Sequence, residues 1–339
     1  MFDDRPRLPA EWEPHERTLM GWPCRRELWS ETLVQAKADY ATIANAIAAF
    51  EPVTMIANPG QDAAEARSAC GANVEILPLR LDDSWLRDCG PIYVRGRDQR
   101  RVGVHFRFNA WGEKFAPYDR DAVVGRLAAE ALGDPVIEAP LVLEGGSIAT
   151  DGAGTLLTTE QCLLNANRNP ELSRAQIEQA LRRYLGAERI VWLGHGLIED
   201  RDTDGHVDLI AASTPSGKVL LQTVPVKNPN FEHCEENRAR LGAAGLEVIE
   251  LPHLPYVTVA EETVAAGYLN LYVCNGAVIV PTAGADTDTD AILIIARAFA
   301  GHEIIAVPGA VLAYGGGGPH CVTQQVPATG REGEPTSDA

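Results

Sequence analysis

The sequence contains no CxxC pair. Its seven cysteines, Cys24, Cys70, Cys89, Cys162, Cys234, Cys274 and Cys321, are scattered and odd in number. This excludes a regular disulfide framework and a paired-cysteine zinc module. No run approaches the ~18 consecutive apolar residues that a spanning helix needs. The opening residues, MFDDRPRLPAEWEPHER, hold no apolar core of a signal peptide. A reducing, cytoplasmic setting with mostly structural thiols is therefore expected. Positive charge is also scarce. Lys and Arg number 29 against 47 Asp and Glu, for a net charge of −18. That balance disfavours nucleic acid and anionic membranes and steers a cationic small molecule; solubility alone explains it equally well. Neither HExxH nor a glycine loop ending in GK[ST] occurs, so a zinc protease and a P-loop are both disfavoured. Metal ligation by His320, Cys321, His206 and Asp208 is a minor reading, and no metal or organic cofactor is expected.

The 339 residues, 45% hydrophobic and 22% charged, suffice for a real core. One domain is expected over residues 1–328, and the tail 329–339, TGREGEPTSDA, is expected to be disordered. Helical periodicity marks residues 30–50, with Ser30 as the N-cap and Ala36, Tyr40, Ile43, Ile47 and Phe50 on one face. Residues 170–186 carry Ser173 and Gln176 in capping-box spacing and end on a glycine. Further helices are read in QDAAEARSACG, DRDAVVGRLAAEALG, NFEHCEENRARLGAAG and DTDTDAILIIARAFAG. Five helix ends align. Each stops at a glycine (Gly71, Gly133, Gly186, Gly245, Gly301) and continues into a β-rich run, at intervals of 53 to 62 residues. Such recurrence points to an α/β repeat architecture, with a ring of like units favoured over a single Rossmann-like sheet.

Chemically useful residues recur with the same period. Asp88 follows the first glycine, Glu144 the second, His206 and Asp208 the third, and Cys321 the fifth. The fourth unit offers only Asn270 and Asn275. In a ring these places converge. Each residue also has a plain structural reading. Asp88 pairs with Arg87 or caps a turn. Glu144, between LVL and Gly-Gly, needs an ion partner in a core. His206 and Asp208, read as H-x-D on a strand, share a face. Cys321 alone is a small apolar residue. The preceding GGGG changes that last reading, because it permits close backbone approach and amides aimed at a bound group.

One thiol, one histidine and three carboxylates are more acid than a cysteine acyl-transfer site needs. Carboxylates raise a thiol pKa, so the set makes sense beside a cationic substrate. A guanidinium fits best, being planar, permanently charged and paired bidentately by carboxylates. The segments EWEPHERTLMGWP, WLRDCGP, FNAWG, LEGGSIATDGAGTLLTTEQCLL, NRNP, DGHVD, NGAVIVP and GGGGPHCVTQQ resemble the agmatine deiminase family of the guanidine-modifying pentein superfamily. The resemblance runs from residue 11 to about residue 328. It implies a five-bladed α/β propeller with a central active site and no cofactor. Cys321 would attack the guanidinium carbon, Asp88 and Asp208 would grip the nitrogens, His206 would serve as acid and then base, and Glu144 would support His206. The implied partner is agmatine, and family members are commonly homo-oligomers.

Two departures from the family pattern flank the site. TDGHVDL stands where the family has TNGHVDN, placing Asp204 and Leu209, and GGGGPHC replaces GGGNIHC, placing Gly318 and Pro319. Asp204 suits a distal amine or faces solvent. Trp85 and Trp111 pack the alkyl chain or belong to the core. Gly317 and Gly318 are expected to lie against the substrate. The alternatives are a deiminase of free arginine, for which no cation for the carboxylate is evident, a peptidyl-arginine deiminase, an amidinotransferase, and a non-catalytic guanidine- or polyamine-binding protein.

Overall fold

The structure, a computed structural model, describes residues 6–329. The expected tail therefore lies outside the described residues, apart from Thr329. No helix among the described residues is long and apolar enough to cross a membrane.

Among the described residues the strands form five small sheets and one hairpin, in a mixed α/β arrangement. A single Rossmann-like sheet is thereby excluded. The second sheet joins Ile92–Arg95, Arg101–Arg107 and Val136–Val142. The third joins Ile148–Thr150, Thr155–Thr159 and Arg189–Leu193. The fourth joins Ala211–Ser213, Val219–Gln222 and Val248–Leu251. The fifth joins Tyr272–Cys274, Ala277–Thr282 and Glu303–Pro308. In each, the first strand runs antiparallel to the second and the second parallel to the third. A parallel pair needs a crossover. The helices Asp121–Ala131, Arg174–Leu185, Phe231–Ala243 and Asp288–Ala298 supply it.

The first sheet is different. Its order is Thr323–Pro327, His15–Gly21, Val53–Ala57, Val74–Pro78. The antiparallel strand comes from the far end of the chain, with Thr18 opposite Gln325 and Met20 opposite Thr323. Helices Leu33–Ile47 and Gln61–Ala69 make its two crossovers. The remaining hairpin, Tyr256–Val259 with Glu262–Ala265, turns through Ala260 and Glu261, both at positive φ.

Local sequence explains most of these elements. Arg174–Leu185 buries Ile177, Leu181 and Leu185, one stripe at fourfold spacing. Its capping box of Ser173 and Gln176 is formed, and Gly186 caps its end at φ 71. Gly133, Gly245 and Gly301 also adopt positive φ after their helices. Gly71 does not, because Gln61–Ala69 ends on an extended Cys70 whose amide reaches back to Ala66. The helix expected over 30–50 buries Ala36, Tyr40, Ile43 and Ile47 as expected, but it stops at Ile47, leaving Phe50 half-buried in the turn beyond, and Ser30 is not its N-cap. Ser30 sits at φ 47 in a 3-10 turn, and the helix proper starts at Leu33.

A positional rule emerges from the sheets. Each antiparallel edge strand is preceded by a tight turn: Leu86–Cys89, Gly145–Ser147, Val207–Leu209, the stretch 268–270, and residues 319–322. These five turns carry the chemistry.

Candidate active site

Cys321 is 3% exposed and lies in the last of the five turns. Its Sγ accepts from Asn270 Nδ2 at 3.1 Å, and its amide donates to Asn270 Oδ1 at 3.1 Å. Asn270 thus fills the fourth unit's place, which sequence reading left without a chemical role; the positional recurrence was the signal for it. Asn275 instead clamps the backbone of His15. Burial pushes the Cys321 thiol well up, with the charges of Asp208 and Asp88 adding to it, while the Gly318 amide and Asn270 oppose the rise.

Asp208 lies beside the sulfur, Oδ2 to Sγ 3.5 Å. The same oxygen accepts from His320 Nδ1 at 2.8 Å, and Oδ1 has no partner. His320 Nε2 meets Glu11 Oε1 at 2.6 Å, and Glu11 in turn pairs with Arg87 at 3.3 Å. With a carboxylate on each nitrogen, both nitrogens donate, so the ring is an imidazolium. Burial and then Arg87 disfavour that proton, but Glu11 and Asp208 prevail and the His320 pKa rises. Burial likewise works against the Asp208 charge, yet His320 holds this carboxyl below its ordinary range. Burial works against the charge of half-buried Glu11 too, yet His320 and Arg87 bring it down to about 2. Sequence reading named His320 only as a metal ligand and did not find Glu11 or Arg87 as parts of the site.

Asp88 behaves differently. It does not pair with Arg87, whose guanidinium goes to Glu11, Gln325 and the His320 carbonyl. Asp88 Oδ1 accepts from the Gly146 amide and Oδ2 from Trp111 Nε1, each at 2.9 Å. Burial, then the charges of Asp208 and Glu144, push it up to about 8.

Glu144 and His206 are fully buried. Glu144 Oε1 accepts from Arg168 Nε at 2.6 Å, while Oε2 has no partner and stands 3.9 Å from His206 Nε2. Burial raises the Glu144 pKa against the opposing charge of Arg168. Neither ring nitrogen of His206 has a hydrogen-bond partner, and Nδ1 lies 3.8 Å from Asp88 Oδ1. Burial pulls its pKa down to about 3, so the ring is neutral with one free lone pair. His206 and Asp208 are not on a strand as expected. They converge because a 3-10 turn, Val207–Leu209, folds them onto one side. Asp200 sets that turn by accepting from the amides of Thr203, Gly205 and His206.

The glycines explain the closeness. A Cβ on Gly146 would stand 2.6 Å from His206 Nδ1, 2.8 Å from Asp88 Oδ1 and 2.9 Å from Asp208 Oδ2. Three functional side chains therefore close over one bare Cα. A Cβ on Gly317 would come within 2.9 Å of Cys321 Sγ and 2.7 Å of the Trp85 ring, and one on Gly318 within 2.8 Å of Asn270 Oδ1. Both glycines allow close packing around the Cys321 thiol and Asn270.

A narrow cavity opens onto this set, with Trp85, Trp111, Phe115, Asp88, Asp202 and Cys321 in its wall. Trp85 and Trp111 therefore line the cavity and join the core at once: Trp85 stacks on Trp29 at 5.7 Å, and Trp111 stands edge-on to Phe108 and Phe115. A larger cavity adjoins it, sharing Asp202 and Gly316 and lined also by Asn270 and Gly317, but it includes neither Cys321 nor Asp88. Asp204 is neither a cavity wall nor free in solvent. It bonds Lys114 at 2.7 Å and Asn167 and Arg168 at 2.9 Å each, tying down the partner of Glu144. It sits at φ 63, a conformation that Asn and Asp share. Leu209 is half-buried and packs with Val207 and Ile210 in an apolar cluster, and Pro319 accepts from the Thr323 hydroxyl. His320, with both nitrogens engaged, is not available to a metal as the minor reading supposed.

A model of the family described as Porphyromonas-type peptidyl-arginine deiminase matches residues 7–327. Agmatine deiminase of Stutzerimonas stutzeri (strain A1501) is 39% identical over 352 residues, covering 95% of each chain. A solved agmatine deiminase of Enterococcus faecalis superposes with a TM-score of 0.91 at 32% identity over 96% of each chain. A dimethylarginine dimethylaminohydrolase structure has a TM-score of 0.53 at 17% identity, covering 92% of this chain and 99% of its own, a likeness of fold alone.

Proposed function

This chain belongs to the Porphyromonas-type peptidyl-arginine deiminase family, and from that premise we propose that it is an agmatine deiminase. The reaction converts agmatine and water to N-carbamoylputrescine and ammonia. One observation carries this reading. A buried thiol stands against Asp208, whose Oδ1 is unpaired, with Asp88 nearby and a neutral His206. Such a site is short of one cation, and a guanidinium supplies it.

The wall of the cavity favours agmatine over arginine. It holds Asp83 and Asp202 and, among the described residues, no Lys or Arg. Asp83 is occupied by Arg25 at 2.9 Å. Asp202 is exposed at the far side, beside Gly316. An amine at the end of the alkyl chain is matched by Asp202, whereas the carboxylate of arginine is repelled. Trp85, Trp111 and Phe115 flank the methylene groups between.

The chemistry follows from the groups present. Asp88 and Asp208 hold the guanidinium nitrogens and fix the carbon over Cys321. The incoming charge stabilises the thiolate, and His206 takes the proton. Sulfur attacks the carbon, His206 protonates one nitrogen, and ammonia departs, leaving an amidino-thioether on Cys321. His206, neutral again, removes a proton from water, which attacks the same carbon. The C–S bond breaks and Cys321 leaves as the thiolate. Glu144 keeps the imidazole oriented through both steps. Asn270 donates to the sulfur whenever it carries charge.

The five sheets and the pairing of Thr323–Pro327 with His15–Gly21 support a closed five-bladed propeller formed as one domain; the proposal takes that domain as residues 1–328 and its setting as cytoplasmic, in line with the scattered thiols. Ammonia release from agmatine, free arginine and a blocked arginine peptide, measured in parallel, tests the assignment. Release from agmatine alone is expected, and none from the Cys321→Ala protein. Turnover retained in that variant would sink the mechanism. Release from a blocked peptide in place of agmatine would move the substrate to peptidyl arginine.

A further inference from the structure

Cys162 is a fully buried thiol for which the reaction above has no use. It sits in the short turn Glu160–Leu163, fixed because its amide donates to Thr159 Oγ1 at 3.1 Å. The turn brings it to the rear of the active site. One ligand atom each from Cys162, His206 and Glu144 lies within 4.8 Å of the other two. Independently, Glu144 Oε2 and both His206 nitrogens are buried without a hydrogen-bond partner. Buried polar atoms are nearly always satisfied, so this corner is built to receive something.

We propose that Cys162, His206 and Glu144 form an inhibitory binding site for a thiophilic divalent cation of the zinc type. A thiolate, an imidazole and a carboxylate are the usual ligands of that ion, with water completing the shell. Calcium and magnesium demand mostly oxygen ligands, and one free carboxylate oxygen does not provide them. On binding, the Cys162 thiol releases its proton to solvent and forms a metal–sulfur bond. The ion then occupies the His206 lone pair and the Glu144 oxygen, the atoms turnover needs, so metal and agmatine exclude each other. The effect on rate rests on the catalytic reading of His206 and Glu144; the binding itself does not.

Cadmium and zinc serve as probes on the full chain. One equivalent of Cd2+ added to the Cys321→Ala protein should give an ultraviolet thiolate-to-cadmium band, and adding Cys162→Ser should abolish it. In the otherwise unaltered enzyme, Zn2+ should inhibit ammonia release, and added agmatine should relieve the inhibition. Cys162→Ser and Cys162→Ala should each need at least about tenfold more Zn2+, every variant being compared with its own metal-free rate. A band retained in the double variant, or equal inhibition with and without Cys162, overturns the site and places the metal on another thiol. Because the cadmium band does not depend on turnover, failure of the agmatine assignment and failure of this site are told apart.

Discussion

In the proposed reaction Asp88 and Asp208 face one substrate group from different electrostatic settings. Asp208 accepts from an imidazolium and stays ionised, whereas Asp88 accepts only from neutral donors and is pushed up to about 8. Agmatine must therefore displace a proton from Asp88 near neutrality. Calorimetry of agmatine binding to the Cys321→Ala protein, in buffers of different ionisation enthalpy, should show release of roughly one proton at pH 7, vanishing above pH 9. No release at pH 7 would mean that Asp88 is already a carboxylate. Asn270 gives a second prediction. Asn270→Ala removes the donor at 3.1 Å from Cys321 Sγ. The value of kcat/KM should fall by about tenfold to a hundredfold, with slower thiol alkylation at neutral pH. Asn270 carries no charge and no motif of its own, and its role depends on a bond to a residue 51 positions away. Asp204 reads as substrate-facing or solvated in the sequence because its partners Lys114 and Arg168 lie 90 and 36 positions away.

Turns and helices were legible to different degrees. Helices with complete local signals, such as Arg174–Leu185, followed the sequence closely. The box at Ser173 is exposed and remote from the chemistry. Ser173→Ala should cost about 1 kcal/mol in a thermal melt and leave kcat unchanged. The turn at Ser30 and the extended Cys70 were not legible, because tertiary packing overrides weak local preference there. The H-x-D spacing suggests a strand, whereas His206 is the residue that enters a 3-10 turn, Val207–Leu209, and Asp208 lies within it, a break that the spacing does not signal. Gly146 puts the element scale to the test. Its methyl would meet His206, Asp88 and Asp208 together. Gly146→Ala should remain folded by circular dichroism yet lose at least about a hundredfold in kcat, as ångström-scale displacement of catalytic groups does. Near-normal turnover would show that the three side chains need not close so tightly.

Across the whole molecule, burial leaves several acids protonated. Asp88 is pushed up to about 8 and Asp121 to about 7, both chiefly by burial. The unfolded chain ionises these acids near 4, so between that point and the folded pKa the native state holds extra protons. Stability from this source is lost as pH rises toward 8. His206, pulled down to about 3, acts in the opposite sense, but only below its unfolded pKa near 6.5. The clean window is therefore pH 6.5 to 8, where the melting temperature should fall, and saturating agmatine should restore more of it at pH 8 than at pH 6.5. A flat or rising curve without ligand would contradict the assigned burial of these acids. The recurrence is legible in glycines and strands because a helix, a glycine and a parallel strand follow one another at all five sheets; in four of them the glycine adopts positive φ, while the first sheet departs with a second helix and an extended Cys70.

The first sheet has a further consequence for synthesis. Its antiparallel strand, Thr323–Pro327, is added only after every other described strand has been made, and Cys321, the proposed nucleophile, lies two residues before it. Glu11, which holds the histidine beside that nucleophile, is made among the first. On the ribosome the strand His15–Gly21 must wait, one edge unpaired, until Thr323–Pro327 has been made. A product cut short by premature termination would lack both the thiol and the strand that closes the first sheet. It would be inactive, and its bare edge would mark it for degradation.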